Sequence, residues 1–200
     1  MINNVNLYYL FLILLYSTQG HINDINLLRR ELQEIMKKIK IDDHIILRSA
    51  KRKDTKLIIN FIRELAEYEH MTNLVEVDKI NLQRYIFKEK MVEVIIAEYD
   101  NKPAGFTIFF NNFSTFLGKP GIYIEDLFVK PEYRGKGLGK HLLSYLAKLV
   151  QKRKYGRLEW SCLNWNEPSK KFYISQGAQQ LDEWMIYRVS GENLAKLALK

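Results

Sequence analysis

Apolar residues recur along the chain with two different periods, and the changes of period predict the order of helices and strands. A spacing of three or four residues predicts helices that begin at Asp54, Asp78 and Gly137. Shorter apolar runs predict strands, and two further helical patterns lie near the carboxyl end. The strands are residues 45–47, 92–99, 104–110, 122–129, 157–163 and 184–189, and the later helices are residues 168–175 and a terminal one from residue 192. The order before the terminal helix is β-α-α-β-β-β-α-β-α-β, which predicts a mixed α/β fold and argues against a fully parallel doubly wound sheet.

Residues 1–44 differ in pattern from the rest and are predicted to form an N-terminal extension to a domain at residues 45–200. The apolar run at residues 5–16 is shorter than the ~18 residues that span a bilayer, and no Lys or Arg precedes it as in a signal peptide. Residues 22–41 carry apolar side chains at helical spacing, which predicts an amphipathic helix that packs on the domain or on a second subunit. We expect a cytoplasmic protein, with secretion or membrane anchoring through the apolar run as the alternatives.

The composition is that of a globular domain, since 47% of the residues are hydrophobic and 27% are charged, and this excludes a disordered chain. The single cysteine cannot form an internal disulfide, and the four histidines show no metal-ligand spacing, so no metal site is predicted. The formal net charge is +8, and residues 130–157 alone hold nine Lys and Arg against one acid, Glu132. Such a stretch predicts a polyanionic partner, which is a phosphorylated cofactor, nucleic acid or an acidic membrane, unless it is only a solvated helix face.

A glycine-rich segment at residues 129–140 joins a predicted strand to the helix that begins at Gly137. Alternate glycines allow backbone N–H groups to converge, and at a helix N-terminus those groups and the helix dipole favour an anion. The segment therefore predicts a phosphate or pyrophosphate site, to which Arg134, Lys136 and Lys140 add charge. It lacks the Gly-Lys-Ser/Thr of a P-loop, and its glycine spacing does not match the Rossmann fingerprint. A tight turn that binds no ligand is the remaining alternative.

The segment resembles the R/Q-x-x-G-x-G/A loop of the GNAT family of N-acetyltransferases, with Arg134, Gly137 and Gly139 at the motif positions. Residues 121–129 resemble the central strand of that family, whose backbone binds the pantetheine arm of acetyl-CoA, and residues 165–169 resemble its last motif. These segments, taken with residues 66–69, are most similar to the diamine acetyltransferases, which include the spermidine/spermine and thialysine enzymes. The resemblance extends over about residues 45–199.

The resemblance implies a mixed, mostly antiparallel sheet flanked by helices, acetyl-CoA as co-substrate, and a homodimer. It assigns acetyl-CoA binding to the central strand, the glycine loop and the last motif. The residues so assigned are Leu127, Phe128, Val129, Arg134, Gly135, Lys136, Gly137, Leu138, Gly139, Lys140, Asn166 and Ser169. Asn166 is also suited to cap the helix that follows it, and the two roles are compatible.

Acetyl transfer to an amine needs two proton movements, and two residues are candidates for them. An alkyl ammonium group with a pKa of ~10.4 must lose a proton before it attacks a thioester, and a departing thiolate with a pKa of ~8.5 needs one. Glu125 is the candidate base, directly or through a water, and Tyr173 occupies the position of the general acid in the family. The alternatives are that Glu125 is a salt-bridge partner and that Tyr173 is a packed aromatic beside Phe172. Backbone amides of residues 127–129 are placed to polarise the thioester carbonyl.

The predicted acceptor is a primary amine of a small di- or polyamine, or a lysine-like amine such as thialysine. The resemblance assigns its binding to Tyr68, Glu69, Glu125, Asp126, Glu159, Trp160 and Ser161. The family position that corresponds to Glu159 is not acidic in the polyamine enzymes, so the exact amine stays open. The alternatives are another amine, such as a peptide N-terminus or an amino acid, and, from a different class, a basic nucleic-acid-binding protein that uses residues 130–157. We expect no nucleic-acid partner and no firm membrane association.

Overall fold

The computed structural model describes residues 38–199, so the predictions for the apolar run and for most of the helix at residues 22–41 lie outside the described part. The chain divides into two compact units, which meet after Ser161 and are described separately below. The strands are β1 (Lys38–Lys40), β2 (Ile45–Ser49), β3 (Glu93–Tyr99), β4 (Lys102–Ser114), β5 (Lys119–Val129) and β6 (Leu158–Trp160). The helices are α1 (Thr55–Tyr68), α2 (Lys79–Gln83), α3 (Leu138–Lys152), α4 (Glu167–Ser175) and α5 (Gly191–Ala198).

All six strands belong to the first unit and form one sheet in the order β1-β2-β3-β4-β5-β6. Every neighbouring pair is antiparallel except β5 and β6, which are parallel because α3 crosses over between them. The mixed α/β fold with a mostly antiparallel sheet and flanking helices is therefore confirmed. Within residues 38–199, no helix is both long enough and apolar enough to cross a bilayer.

The core lies between α1 and the centre of the sheet. Phe61 of α1 is fully buried, and its ring stacks on that of Phe106 of β4 with centroids 5.1 Å apart. Ile58, one turn earlier, and Phe128 of β5 belong to the same buried cluster. Complete burial of each such side chain contributes about 1.5–3 kcal/mol. This packing fixes α1, and hence the residues at its end, against the strand that carries the candidate site.

The helix starts follow the sequence prediction, with one difference in how they are capped. Asp78 caps α2, since its carboxylate accepts hydrogen bonds from the backbone N–H groups of Ile80 and Asn81. Asp54 precedes α1, but its carboxylate binds the Arg48 guanidinium at 2.7 Å. The same guanidinium pairs with Glu98 of β3 at 2.6 Å, and all three side chains are buried. Asp54 therefore joins α1 to β2 and β3, because a buried charge requires partners.

Two predicted elements differ in the structure. Residues 38–40, expected to end an amphipathic helix, form β1, which pairs with β2 from Lys38 opposite Arg48 to Lys40 opposite Ile46. The predicted strand at residues 184–189 is wrong, because that segment has no strand hydrogen bonds and its side chains are exposed. Both errors have one cause. A strand exists only where a second strand accepts its backbone hydrogen bonds, and periodicity does not show whether such a partner is present.

Candidate functional site

The glycine loop leads from β5 to α3 and requires glycine at two positions. Gly135 and Gly137 have φ angles of 76° and 85°, in the left-handed region that other residues rarely adopt. Gly137 is the N-cap of α3, and its carbonyl accepts the first helical bond from His141 at 3.0 Å. The N–H groups of the first turn, which includes Gly139, have no partner within the helix. The glycine loop thus has the geometry of a helix N-terminus that suits an anion, and its binding of a phosphate stays a prediction.

The basic side chains of this loop rest on aromatic rings. The Arg134 guanidinium lies 4.5 Å from the ring centroid of Tyr68, and the Lys136 ammonium lies 4.3 Å from that of Tyr99. Arg134 also donates from Nε to the Val129 carbonyl at 3.1 Å. Neither cation, nor Lys140, forms an ion pair with any residue of the described chain. Their charge is therefore available to an external anion, while the rings restrict where the cations lie.

The end of β5 has one free edge next to this loop. β6 pairs only with residues 122–124 of β5, whereas β4 pairs with β5 as far as Val129. Among residues 38–199, no strand covers the other edge of β5 from residue 125 to residue 129. Backbone N–H and C=O groups on an uncovered strand edge can bind an extended ligand. Of the residues predicted to bind acetyl-CoA, Leu127 and Val129 turn their backbone groups to this edge, whereas the backbone groups of Phe128 face β4.

Gly105 of β4 keeps the two strands close at this point. A Cβ atom on Gly105 would lie 2.5 Å from the Phe128 carbonyl oxygen, which is too short for any such contact. Gly105 faces Val129 in the ladder. The close approach of β4 to β5 therefore depends on a glycine opposite the predicted ligand-binding strand.

Glu125 occupies a β-bulge. The register runs from Ile108 opposite Asp126 to Phe109 opposite Ile124, so Glu125 is the extra residue on β5. A bulge redirects a side chain out of the regular alternation, and such bulges are common beside active sites. Glu125 is accordingly exposed although the strand around it is apolar. The sequence analysis took Glu125 for a residue in a regular strand, because nothing in its neighbours signals the register shift.

Three predicted acceptor residues form a carboxylate cluster. Burial, together with the charges of Glu125 and Glu69, raises the pKa of Asp126 to about 7. Burial also raises the pKa of Glu69, which follows the end of α1. The ionised carboxylates of the cluster are poorly solvated and repel one another. A cation bound beside them would therefore be stabilised. Helix α1 and strand β5 thus bring together residues more than fifty positions apart.

Three further predicted acceptor residues of the first unit lie on or next to β6, and Tyr68 is the last residue of α1. The Glu159 carboxylate is already bound, by Arg157 Nε at 2.7 Å and by Asn112 Nδ2 at 2.7 Å. Ser161 forms a 2.7 Å hydrogen bond with the Tyr123 hydroxyl. Trp160 is half-buried at the end of the strand. Glu159 therefore has fewer free lone pairs for a substrate than the carboxylates of the cluster.

The second unit holds the remaining candidates on α4. Asn166 caps this helix, since its side-chain oxygen accepts the Ser169 N–H at 3.3 Å, which confirms the predicted cap. Tyr173 lies on the same helix and is half-buried, with its ring centroid 5.4 Å from that of Phe172. The predicted packing of these two rings is present, and it leaves a catalytic role for the Tyr173 hydroxyl as a prediction.

The raised pKa of Asp126 predicts a specific pH dependence of stability. Between pH ~4 and pH ~7 the folded protein keeps the Asp126 proton while the unfolded chain releases it, so the free energy of unfolding falls as pH rises. The slope approaches about 1.4 kcal/mol per pH unit for one proton. Asp126→Asn removes this slope, and the variant should gain stability over the wild type progressively across that range. Urea unfolding at a series of pH values measures the difference. Asp182→Asn on the exposed surface is the control, and parallel curves for wild type and Asp126→Asn would contradict the assignment.

Comparisons with known proteins agree with this geometry. The model of the acetyltransferase (GNAT) family matches residues 58–178. A thialysine N-epsilon-acetyltransferase of Bos taurus is 33% identical over 168 residues, which cover 78% of this chain and 98% of that protein. An L-ornithine N5-acetyltransferase of Arabidopsis thaliana is 37% identical over 129 residues, which cover 62% of this chain and 54% of that protein.

Solved structures share the fold. An integron cassette protein from the mobile metagenome of V. cholerae superposes with a TM-score of 0.67 at 27% identity and covers 80% of this chain and all of its own. An aminoglycoside acetyltransferase from a soil metagenome, solved with sisomicin, gives a TM-score of 0.64 at 20% identity and covers 76% of this chain. The second likeness concerns the fold alone.

Proposed function

This chain belongs to the acetyltransferase (GNAT) family, and on that premise we propose that its acceptor is a primary amine of a small diamine, polyamine or lysine-like amine such as thialysine. Family membership and the relatives establish that the protein transfers an acetyl group from acetyl-CoA to an amine. The class of amine is the proposal. The observation that carries it is the carboxylate cluster of Glu69, Glu125 and Asp126, since a second ammonium group on the acceptor would find its counter-charge there.

The residues of the first unit fit acetyl-CoA. The first-turn N–H groups of α3 and the cations of Arg134, Lys136 and Lys140 suit the pyrophosphate, and the left-handed glycines leave the approach open. The uncovered edge of β5 from Leu127 to Val129 suits the amide groups of the pantetheine arm. When bound, acetyl-CoA supplies the thioester that the amine attacks. In the second unit, Asn166 and Ser169 remain predicted contacts.

The cluster and the bulge together suit amine recognition. Tyr68 presents an aromatic ring to this region, and the Arg134 guanidinium at 4.5 Å from its centroid supports the proposal that this ring attracts cations. Asp126 is half-neutral near pH ~7, so an ammonium group beside it would shift it to the ionised form. Glu159 is a weaker candidate, because Arg157 and Asn112 occupy its carboxylate. Trp160 and Ser161 remain predicted contacts at the end of β6.

We propose two separate proton transfers, one from the acceptor to Glu125 and one from Tyr173 to the leaving thiolate. Glu125 is exposed at the bulge, where its carboxylate can take the ammonium proton directly or through a water. Tyr173 returns a proton to the departing thiolate, as the family position implies. Among the N–H groups of residues 127–129, those of Leu127 and Val129 face the free edge of β5 and stabilise negative charge on the carbonyl oxygen. Orientation of the two substrates supplies much of the remaining rate.

We also propose that the protein is a cytoplasmic homodimer, as the family resemblance implies. The segment at residues 184–189 supports a second copy, because Trp184, Met185 and Ile186 are apolar and at least 71% exposed. Exposed apolar runs of this kind are typical of surfaces that a partner covers.

An amine panel tests the acceptor class. With acetyl-CoA saturating, kcat/KM should be highest for diamines, polyamines or thialysine and lower for amino-acid α-amines and peptide N-termini.

Glu125→Gln should lower kcat/KM most near neutral pH, and its kcat/KM should recover partly at high pH, where the free amine is abundant. Release of the CoA thiol measures both. Glu183→Gln on the second unit is the matched control. A preference for peptide N-termini over every small amine would overturn the acceptor assignment and leave acetyl-CoA binding intact.

A further inference from the structure

The basic stretch that the sequence analysis singled out is divided between the two ends of α3. Lys130, Arg134, Lys136 and Lys140 lie near the start of the helix, beside the anion site, whereas residues 148–157 lie at its end. A helix of 15 residues is roughly 22 Å long. The second basic group is therefore too far from the glycine loop to contact the same phosphates. The second basic group has no role in acetyl transfer.

The charge of this second group is carried by lysines. Its two arginines are neutralised, Arg153 by Glu93 at 2.7 Å and Arg157 by Glu159 at 2.7 Å. Lys148, Lys152 and Lys154 are exposed and form no ion pair with any other residue of the described chain. Lys148 and Lys152 are four residues apart on α3 and therefore share one face. The end of α3 is a cationic surface without internal counter-charge.

The tip of the β4–β5 hairpin lies against this surface and is apolar. The Gly156 N–H donates to the Pro120 carbonyl at 2.8 Å, and the Leu117 side chain comes so close to Gly156 that a Cβ there would lie 3.0 Å from it. At this tip Phe116 is 93% exposed and Leu117 is 53% exposed. Lys119 follows them and is also exposed. Exposed apolar side chains thus lie beside Gly156, which follows Lys154 by two residues and Lys152 by four, and Lys148 is one helical turn before Lys152.

We propose that this hairpin-tip patch docks on a membrane surface that contains anionic lipids. Protruding aromatic and aliphatic side chains enter the boundary between headgroups and acyl chains, where they leave water, and lysines around them bind the anionic headgroups. The association is peripheral and reversible, since only a few side chains take part. The patch consists of Phe116, Leu117, Lys119, Lys148, Lys152 and Lys154.

Two other partners fit the patch less well. A second copy that docked through the same patch would bring identical lysines together across the two-fold axis, which like-charge repulsion opposes. A nucleic acid would neutralise the lysines through its phosphates and could stack a base on Phe116, but it would leave the exposed aliphatic side chain of Leu117 in water. An anionic membrane can bind the lysines through its headgroups and take up Phe116 and Leu117 at the boundary with its acyl chains. The sequence prediction of no firm membrane association did not consider the apolar residues at the hairpin tip.

Sedimentation of the full chain with lipid vesicles tests the proposal. The probes are vesicles of phosphatidylcholine alone and vesicles with roughly one part phosphatidylserine in four, at low and at physiological salt. Binding should be about 10-fold or more tighter with phosphatidylserine and should weaken as salt rises. Phe116→Ser and the double variant Lys148→Gln/Lys152→Gln should each lower that binding about 10-fold and leave acetyl transfer unchanged. Because every variant keeps the apolar run at residues 5–16, the differences between variants report the patch alone.

The controls match the variants in exposure and chemistry. Ile80→Ser removes an apolar side chain that is 80% exposed on α2, and Lys79→Gln/Lys56→Gln removes two exposed lysines elsewhere. Both should bind phosphatidylserine vesicles as the wild type does. Equal vesicle binding by patch variants and controls would overturn the proposal. The proposal would also be overturned if the patch variants differed from the wild type only in binding an oligonucleotide. The same holds if they differed only in oligomeric state, measured by analytical ultracentrifugation. Acetyl transfer is measured without vesicles, so a failure here is distinct from a failure of the proposed acceptor.

Discussion

Replacing Tyr173 by phenylalanine is expected to lower kcat for acetyl transfer about 10²-fold or more and to leave the dissociation constant of acetyl-CoA nearly unchanged. The substitution removes one hydroxyl and little volume, so the packing of this ring beside Phe172 on α4 is retained. Without the hydroxyl, the departing thiolate must take its proton from water. A general acid of ordinary efficiency contributes a factor of this size.

The measurement combines steady-state thiol release with titration calorimetry of acetyl-CoA. Tyr187→Phe, on the same unit and exposed, is the matched control and should retain wild-type kcat. If Tyr173→Phe keeps wild-type kcat, Tyr173 is only a packed aromatic. If its affinity for acetyl-CoA falls instead, Tyr173 contacts the co-substrate and does not supply the proton.

Gly137→Asp is expected to raise the dissociation constant of acetyl-CoA by about 10²-fold, which corresponds to about 2.7 kcal/mol. Asp is a favoured N-cap residue, so its carboxylate would bind the first-turn N–H groups of α3 and compete with the pyrophosphate for them. It would also place negative charge where the ligand carries its own. The φ angle of 85° adds strain for a residue with a side chain, although Asp tolerates this region better than most.

A second glycine separates strain from the loss of the anion site. Gly118 has a φ angle of 60° at the hairpin tip, and a Cβ there would meet no atom within 4 Å. Gly118→Asp therefore imposes the same kind of strain far from the start of α3 and should leave acetyl-CoA affinity unchanged. Calorimetry on both variants, with circular dichroism to confirm folding, gives the comparison. Wild-type affinity in folded Gly137→Asp would refute the assignment of the loop.

The glycine loop and the helix that it starts could be predicted from sequence because their signals are local. Consecutive residues from Arg134 to Lys140 supply the glycines, the cations and the helix start, so no distant contact is needed to assemble them. The starts of α1 and α2 at Asp54 and Asp78 were predicted for the same reason. A helix closes its hydrogen bonds within its own segment, so its signals lie in neighbouring residues.

Strands were predicted less well, because their hydrogen bonds are made to another part of the chain. Residues 38–40 continued a helical pattern, yet the free edge of β2 gives them a partner. The run at residues 184–189 has the composition of a strand but no strand partner within the described chain. Local preference decides such segments only weakly.

By itself, the sequence determined the mixed α/β class, the glycine loop with its charge, and the motifs that place the chain in its family. Only the tertiary structure decided which charged side chains are available to a ligand and which are bound by other residues. It put Glu125 on a bulge, set Glu69 beside Asp126 across more than fifty positions, and bound Glu159 to Arg157 and Asn112. It also divided one basic stretch between the two ends of α3. The reason is that the free energy of a charge depends on its solvation and its neighbours, and both are set by the packing of segments that are distant in sequence.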